Sequence, residues 1–231
     1  YIATGLWHNY LITKNKSLLE EMFSTLDLAM KFVISLQTSL GDIQWAKENN
    51  EILDDALITG CSSIYKSLDC AISIYKTLGY ETNYLREAKD LLKTCLLKNT
   101  ERFDRSWESK ERYSMDWYYP VMCGVFKDNE AKDRIHSRWD EFVVNGKGCK
   151  CVEEEPWVTI AESSELVVAL VVIGEINKAK ELFSWLHQWR DPKDKLYWTG
   201  YVYTDQKYWP VEKPTWTAGA VLLAADSLFA F

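Results

Sequence analysis

The stretch WVTIAESSELVVALVVIG, residues 157–174, decides the fold. Apolar residues lie on nearly every side of the helix that this pattern predicts over 159–173, which ends at Gly174. A helix that is apolar all round belongs inside a protein, whereas a helix of an outer layer keeps one polar face. The stretch therefore predicts an inner helix that other helices surround.

Helical periodicity extends over most of the 231 residues, and apolar inner helices alternate with amphipathic, charged outer ones. Short connections join the helices in pairs, which is typical of antiparallel hairpins. Longer loops separate the pairs, so all the long loops lie at one end of the helices. Nine helices are predicted, over 4–13, 17–38, 56–78, 83–99, 115–126, 128–143, 159–173, 176–189 and 215–230.

The pattern therefore predicts a ring of inner helices surrounded by outer helices, with the long loops at one face. This arrangement is an all-α fold, the α/α toroid of the six-hairpin type. An open α-solenoid of the HEAT type is the alternative. Nine helices make an incomplete ring that lacks about three N-terminal helices. The chain starts at Tyr1 inside an apolar pattern. We therefore expect residues 1–231 to be a single toroid domain, the C-terminal part of a longer protein.

Composition excludes several classes of function. The chain has 27 Lys and Arg against 34 Asp and Glu, a net charge of −7, so nucleic acid is not an expected partner. No uncharged apolar stretch is long enough to span a membrane. Six cysteines, mostly in apolar helical patterns, indicate reduced thiols and a cytoplasmic protein. The scattered histidines and the spacing of Cys149 and Cys151 predict no metal site, and we expect no cofactor.

The long loops hold much of the aromatic content, which includes 11 Trp and 13 Tyr in the whole chain. Aromatic rings beside carboxylates are typical of sugar-binding surfaces, because rings stack on the apolar faces of pyranoses. The alternative is that the tryptophans close the ends of the helical layers, since Trp is largely buried in most proteins.

Two carboxyl groups interrupt apolar surroundings. Asp116 lies among bulky aromatic residues in YSMDWYYP (113–120), where an ionised carboxylate needs partners. Glu162 breaks the inner helix, and Glu165, three residues on, shares its face. Two carboxyl groups across a pocket can act as acid and base in glycoside hydrolysis; a separation of about 6.5–9.5 Å implies inversion and about 5–5.5 Å retention. We predict that Asp116 and Glu162 are the catalytic pair.

The same loop face supplies candidates for substrate binding, although each has a structural explanation as well. Acids in first helical turns stabilise the helix dipole, and His8 fits a hydrogen-bonded core position equally well. The predicted substrate-binding residues are His8, Asp55, Tyr65, Tyr113, Trp117, Tyr118, Trp157, Glu165 and Trp216.

Six blocks distributed over nearly the whole chain are YIATGLWH (1–8), LITGCSSIY (57–65), YSMDWYYPV (113–121), RWDEFV (138–143), EPWVT (155–159) and PTWTAGA (214–220). They resemble a bacterial α/α-toroid family often labelled prenyltransferase-like, whose fold is similar to that of six-hairpin glycosidases such as glucoamylase-like enzymes. The resemblance implies a toroid with additional N-terminal sequence. The chain lacks the Asp-x-Asp-Asp motif of squalene–hopene-type cyclases and a recognisable prenyltransferase zinc site, so the prenyl label rests on fold-level analogy.

Three functions therefore compete. A glycoside hydrolase fits the carboxylates and aromatic rings of the loop face. An isoprenoid enzyme similar to prenyltransferases or terpene cyclases predicts a deep apolar cavity. A non-catalytic binding scaffold predicts that no two carboxylates converge on the loop face. The expected ligand is a small molecule or an oligosaccharide, and the open edge of the ring suggests a dimer.

Overall fold

A computed structural model of the chain describes residues 1–45, 47–48 and 51–229. Most of these residues are helical. The helices are α1 (Ile2–Thr13), α2 (Ser17–Ile34), α3 (Ile58–Leu78), α4 (Asn83–Lys98), α5 (Ser114–Met122), α6 (Asp128–Ser137), α7 (Trp139–Phe142), α8 (Ile160–Val172), α9 (Ile176–Leu186) and α10 (Thr215–Phe229). The strands are β1 (Lys47–Glu48), β2 (Glu51–Ile52), β3 (Val143–Val144), β4 (Gly148–Lys150), β5 (Trp157–Thr159), β6 (Gly200–Val202) and β7 (Lys207–Tyr208).

Each predicted helix has a counterpart, and three predictions of helix extent were wrong. The fifth helix ends at Met122 rather than 126, because the chain turns at Gly124, whose φ is 79°. The second helix ends at Ile34 rather than 38, because the chain turns back at Gly41, where a Cβ would lie 2.4 Å from the Leu91 carbonyl oxygen. The sixth predicted helix is divided between α6 and α7 at Arg138, whose guanidinium bonds the Glu111 carbonyl and the Glu153 carboxylate. Residue 230, the predicted end of the ninth helix, lies outside the described residues.

The chain divides into two compact units, and the first comprises Tyr1–Ser109. Within it, α3 packs against α1, α2 and α4, and it buries Leu68, Ile74 and Tyr75. The Tyr75 and Tyr84 hydroxyl groups both bond Asp27, which ties α2 to α3 and α4. The amphipathic α4 has its polar face in solvent, as expected for an outer helix.

The second unit begins at Lys110, and α8 is its central element. This helix contacts α5, α9, α10 and β4, and its apolar residues, among them Leu166, Val167 and Leu170, are fully buried. The prediction of an inner helix over 159–173 is therefore confirmed as α8, although Thr159 itself ends β5. Among the residues described, every helix is too short or too polar to cross a bilayer.

A five-stranded antiparallel sheet in the order β3-β4-β5-β6-β7 lies in the second unit. Cys149 pairs with Thr159, and Thr159 pairs with Gly200, so β5 joins segments that are far apart in the chain. The helical prediction did not include this sheet, because strands of two or three residues are too short to show a two-residue period. Since β5 leads directly into α8, the sheet sets where that helix begins.

Candidate active site

Two hydrogen bonds hold the first turns of α5 and α8 close to β4. The Ser114 amide at the start of α5 donates to the Cys151 carbonyl oxygen over 3.0 Å. The Cys149 amide donates to the Ser163 hydroxyl of α8 over 2.8 Å. Polar side chains near the starts of the two helices are therefore brought to one region of the second unit.

Glu165 is held between two tyrosines of α5. The Tyr118 hydroxyl donates to its Oε2 over 2.6 Å, and the Tyr119 hydroxyl donates to its Oε1 over 2.8 Å. Burial raises the pKa of Glu165 to about 7; the tyrosine hydrogen bonds oppose the rise, and the negative charge of Glu162 adds to it. Below pH 7 the Glu165 carboxyl group is therefore mostly protonated.

Glu162 lies in the first turn of α8, where the helix dipole favours negative charge. Its side chain is half-buried, and it lies close enough to Cys151 for its charge to act on that thiol. Burial raises the pKa of Cys151, and the charge of Glu162 raises it further, so this thiol stays protonated. We call Glu162, Glu165, Tyr118, Tyr119 and Cys151 the glutamate cluster. It places a carboxylate that solvent can reach beside a carboxyl group that titrates near neutral pH.

Asp116, the other predicted catalytic residue, lies in the first turn of α5 and is only 4% exposed. Arg134 donates to the Asp116 carbonyl oxygen over 2.9 Å and to the Trp117 carbonyl oxygen over 2.8 Å. Burial lowers the pKa of Arg134, and the charge of Asp116 opposes that change. The negative charge of the Asp116 carboxylate thus compensates the positive charge of the buried Arg134 guanidinium. If Asp116 is also catalytic, it has both roles.

The predicted aromatic ligands of the second unit differ in exposure. Trp117 is buried, stacks on Phe142 and donates to the Arg134 carbonyl oxygen, so it packs in the core. Tyr113 is half-buried and pairs with Val152. Trp157 is half-buried at the start of β5, and Trp216 on α10 is 63% exposed. Substrate binding by these residues stays a prediction, and exposure favours Trp157 and Trp216.

Three predicted binding residues lie in the first unit. His8 is half-buried on α1. Asp55 is fully buried and accepts hydrogen bonds from the Ser106 amide, the Ser106 hydroxyl and the Ala56 amide. Burial alone would raise the pKa of Asp55, but these bonds outweigh it and lower the pKa. Tyr65 is buried beneath the Lys89 ammonium group, which lies 4.9 Å from the ring centroid. Their binding role stays a prediction.

Sequence reasoning missed Tyr119, Cys151 and Trp209 as parts of this region. Tyr119 follows Tyr118 directly, and a pair of adjacent tyrosines near carboxylates was the available signal. Nothing local marks Cys151, because its place near Glu162 depends on the pairing of β4 with β5. Trp209 belongs to a loop already rich in aromatic residues, and only the structure shows that it contacts Trp157.

No family model matches the chain. The chain is 42% identical over 228 residues, 99% of its length, to the MMP endo-(1,4)-3-O-methyl-α-D-mannosidase of Mycolicibacterium hassiacum. It spans 62% of the length of that curated relative.

Two solved structures of the GH76A α-1,6-mannanase of Salegentibacter sp. HEL1_6 are similar. The enzyme itself matches with a TM-score of 0.64 at 16% identity, over 92% of this chain and 64% of the mannanase chain. The second structure is an inactive variant, with two consecutive aspartates replaced by alanine, in complex with α-1,6-mannotetrose. It matches with a TM-score of 0.62 at 16% identity, over 90% of this chain and 64% of the variant chain. This likeness shows the fold, so the predicted all-α toroid of the six-hairpin type is confirmed.

Proposed function

We propose that the chain is part of a glycoside hydrolase that cleaves α-mannosidic bonds in chains of 3-O-methylated mannose. The observation that carries the proposal is the 42% identity to the endo-mannosidase over almost the whole chain. The mannanase structures support it through the fold. Because fold alone does not define an activity, the chemistry is argued from the carboxyl groups of the second unit.

Glu162 is the proposed catalytic carboxylate, with Asp116 as its partner carboxyl group. Glu162 is the more accessible of the two, since its side chain is half-buried and that of Asp116 is buried. Glu165 is the proposed positioning residue, since a neutral carboxyl group beside Glu162 leaves one negative charge at this place rather than two. Cleavage of a glycosidic bond uses one carboxyl group as the acid and another as the base or nucleophile, and Glu162 and Asp116 are proposed for these two roles.

The test is hydrolysis of 3-O-methyl-mannose oligosaccharides by Glu162→Gln and Asp116→Asn. General acid–base catalysis contributes about 10²–10⁴-fold, so each substitution is expected to lower kcat by about 100-fold or more. Glu181→Gln is the matched control, because Glu181 is an exposed glutamate on α9 of the same unit. Thermal unfolding of each variant separates lost chemistry from lost structure. Unchanged turnover in Glu162→Gln would contradict the assignment.

A second pair of carboxylates has support from the inactive mannanase variant, in which two consecutive aspartates are replaced. The pair Asp54-Asp55 directly precedes α3 in this chain. In this structure Arg105 donates a hydrogen bond of 3.1 Å to each carboxylate oxygen of Asp54. Asp55 is buried and accepts the hydrogen bonds from Ser106 and Ala56 described above. If Asp54→Asn lost activity 100-fold with unchanged thermal stability while Glu162→Gln stayed active, the catalytic role would belong to this pair.

The other two functions have weaker support. The similar proteins described above are named as a mannosidase and a mannanase, and the glutamate cluster argues against a scaffold without convergent carboxyl groups. A cytoplasmic location stays a proposal that rests on six free cysteines. Dimerisation stays a proposal as well, and light scattering of the purified protein tests it.

A further inference from the structure

Trp209 presents an aromatic face to solvent. Its side chain is 57% exposed, although Trp is usually one of the most buried residues. The ring of Trp157 lies against it with centroids 4.9 Å apart and planes at 74°, an edge-to-face arrangement. Trp157 thus supports the Trp209 ring from one side and leaves much of the indole uncovered.

The pair is fixed to the sheet. Trp157 Nε1 donates to the Trp209 carbonyl oxygen over 2.7 Å, and the Trp209 amide donates to the Gly200 carbonyl oxygen over 3.0 Å. A Cβ on Gly200 would lie 2.2 Å from Trp157 Nε1, so the close approach of the indole requires glycine. An indole held in place loses little conformational entropy when a ligand stacks on it.

The aromatic pair is next to the glutamate cluster along the strands. Trp157 begins β5, which leads into the helix that carries Glu162. The Cys151 amide donates to the Trp157 carbonyl oxygen over 3.3 Å, and the charge of Glu162 raises the pKa of the Cys151 thiol. Cys151 therefore lies beside both the base of the aromatic pair and the proposed catalytic carboxylate.

We propose that Trp209, backed by Trp157, is a stacking platform for a methylated mannosyl unit of the substrate. The proposal rests on the function proposed above and names a binding subsite of that site. The apolar face of a pyranose packs on an indole, and an O-methyl group enlarges the apolar area that the contact removes from water. Val211, 76% exposed and two residues beyond Trp209, extends the apolar surface of this loop.

The experiment measures calorimetric binding and steady-state kinetics with 3-O-methyl-mannose oligosaccharides and with unmethylated mannose oligosaccharides of equal length. Trp209→Ala is expected to raise Kd and KM for the methylated ligand about tenfold, which corresponds to about 1.4 kcal/mol. The effect on the unmethylated ligand is expected to be smaller, and kcat is expected to stay within about twofold. Kd and KM of Trp209→Phe for the methylated ligand are expected to lie between those of Trp209→Ala and those of the unsubstituted protein, because phenylalanine keeps a smaller ring.

Phe229→Ala is the control. Phe229 is an exposed aromatic residue of the same unit, about 20 Å from the first turn of α10 along the helix, and its loss is expected to leave binding unchanged. Equal Kd values for Trp209→Ala and the unsubstituted protein, with intact hydrolysis, would overturn the platform and leave the proposed function standing. Trp209-dependent binding without hydrolysis would support the platform and contradict the proposed function. Absence of both binding and hydrolysis would overturn both.

Discussion

At the scale of the residue, the environment of Glu165 explains why a carboxyl group that sequence reasoning assigned to substrate binding behaves differently from an exposed glutamate. The spacing of Glu162 and Glu165 predicted that they share a helix face, and the raised pKa of Glu165 reflects that proximity together with burial. The hydroxyl groups of Tyr118 and Tyr119 were not predictable as its partners, because α5 and α8 are separated by more than thirty residues of intervening sequence.

Tyr118→Phe is expected to shift the pH dependence of activity. The Tyr118 hydroxyl stabilises the ionised form of Glu165, so its removal raises the pKa of Glu165 above about 7. If the protonated carboxyl group is the active form, activity declines as pH rises through this pKa, and the alkaline limb of the kcat/KM profile moves to higher pH in the variant. Tyr203→Phe serves as the control, because Tyr203 is a half-exposed tyrosine of the same unit. An alkaline limb that stays in place in Tyr118→Phe would show that Glu165 does not set it.

At the scale of the element, helices were predictable and the sheet was not. A helix such as α8 repeats its apolar pattern over several turns, so its position and burial follow from the sequence. The strands β4, β5 and β6 are three residues each, and their pairing depends on residues far apart in the chain. The contacts of Cys151 and Trp209 depend on that pairing, which is why these parts of the site escaped prediction.

Gly200→Ala tests the contact between β6 and the Trp157 ring. The new Cβ would lie 2.2 Å from Trp157 Nε1 and 2.8 Å from the Val158 carbonyl oxygen, so the ring and the strand must shift. Overpacking of this kind costs about 1–3 kcal/mol, and chemical denaturation measures it as a lower midpoint.

Gly219→Ala on α10 is the matched control. A Cβ there meets no atom within 4 Å, and alanine within a helix stabilises by about 0.5–1 kcal/mol relative to glycine. Equal stability of the two variants would mean that the close packing around Gly200 is not maintained in solution.

At the scale of the whole molecule, the net charge of −7 and the neutral ligand proposed here predict weak dependence of binding on salt. Salt screens interactions between charges, and an uncharged oligosaccharide gains nothing from long-range attraction. KM for a methylated mannose oligosaccharide is expected to change less than about twofold between about 0.05 M and 0.5 M NaCl. A steep rise in KM with salt would indicate an anionic ligand instead.

The pairing of Thr159 with Gly200 has a consequence for how the second unit folds. The intervening chain, residues 160–199, contains the whole α8–α9 hairpin, so β5 and β6 meet only after this long loop has closed. Helical contacts within α8 and α9 are local and form quickly, whereas strand contacts across a long loop carry the entropy of closure and form later. The Trp157–Trp209 contact therefore belongs to the last stage of folding, and tryptophan fluorescence should approach its native value after helical circular dichroism has done so.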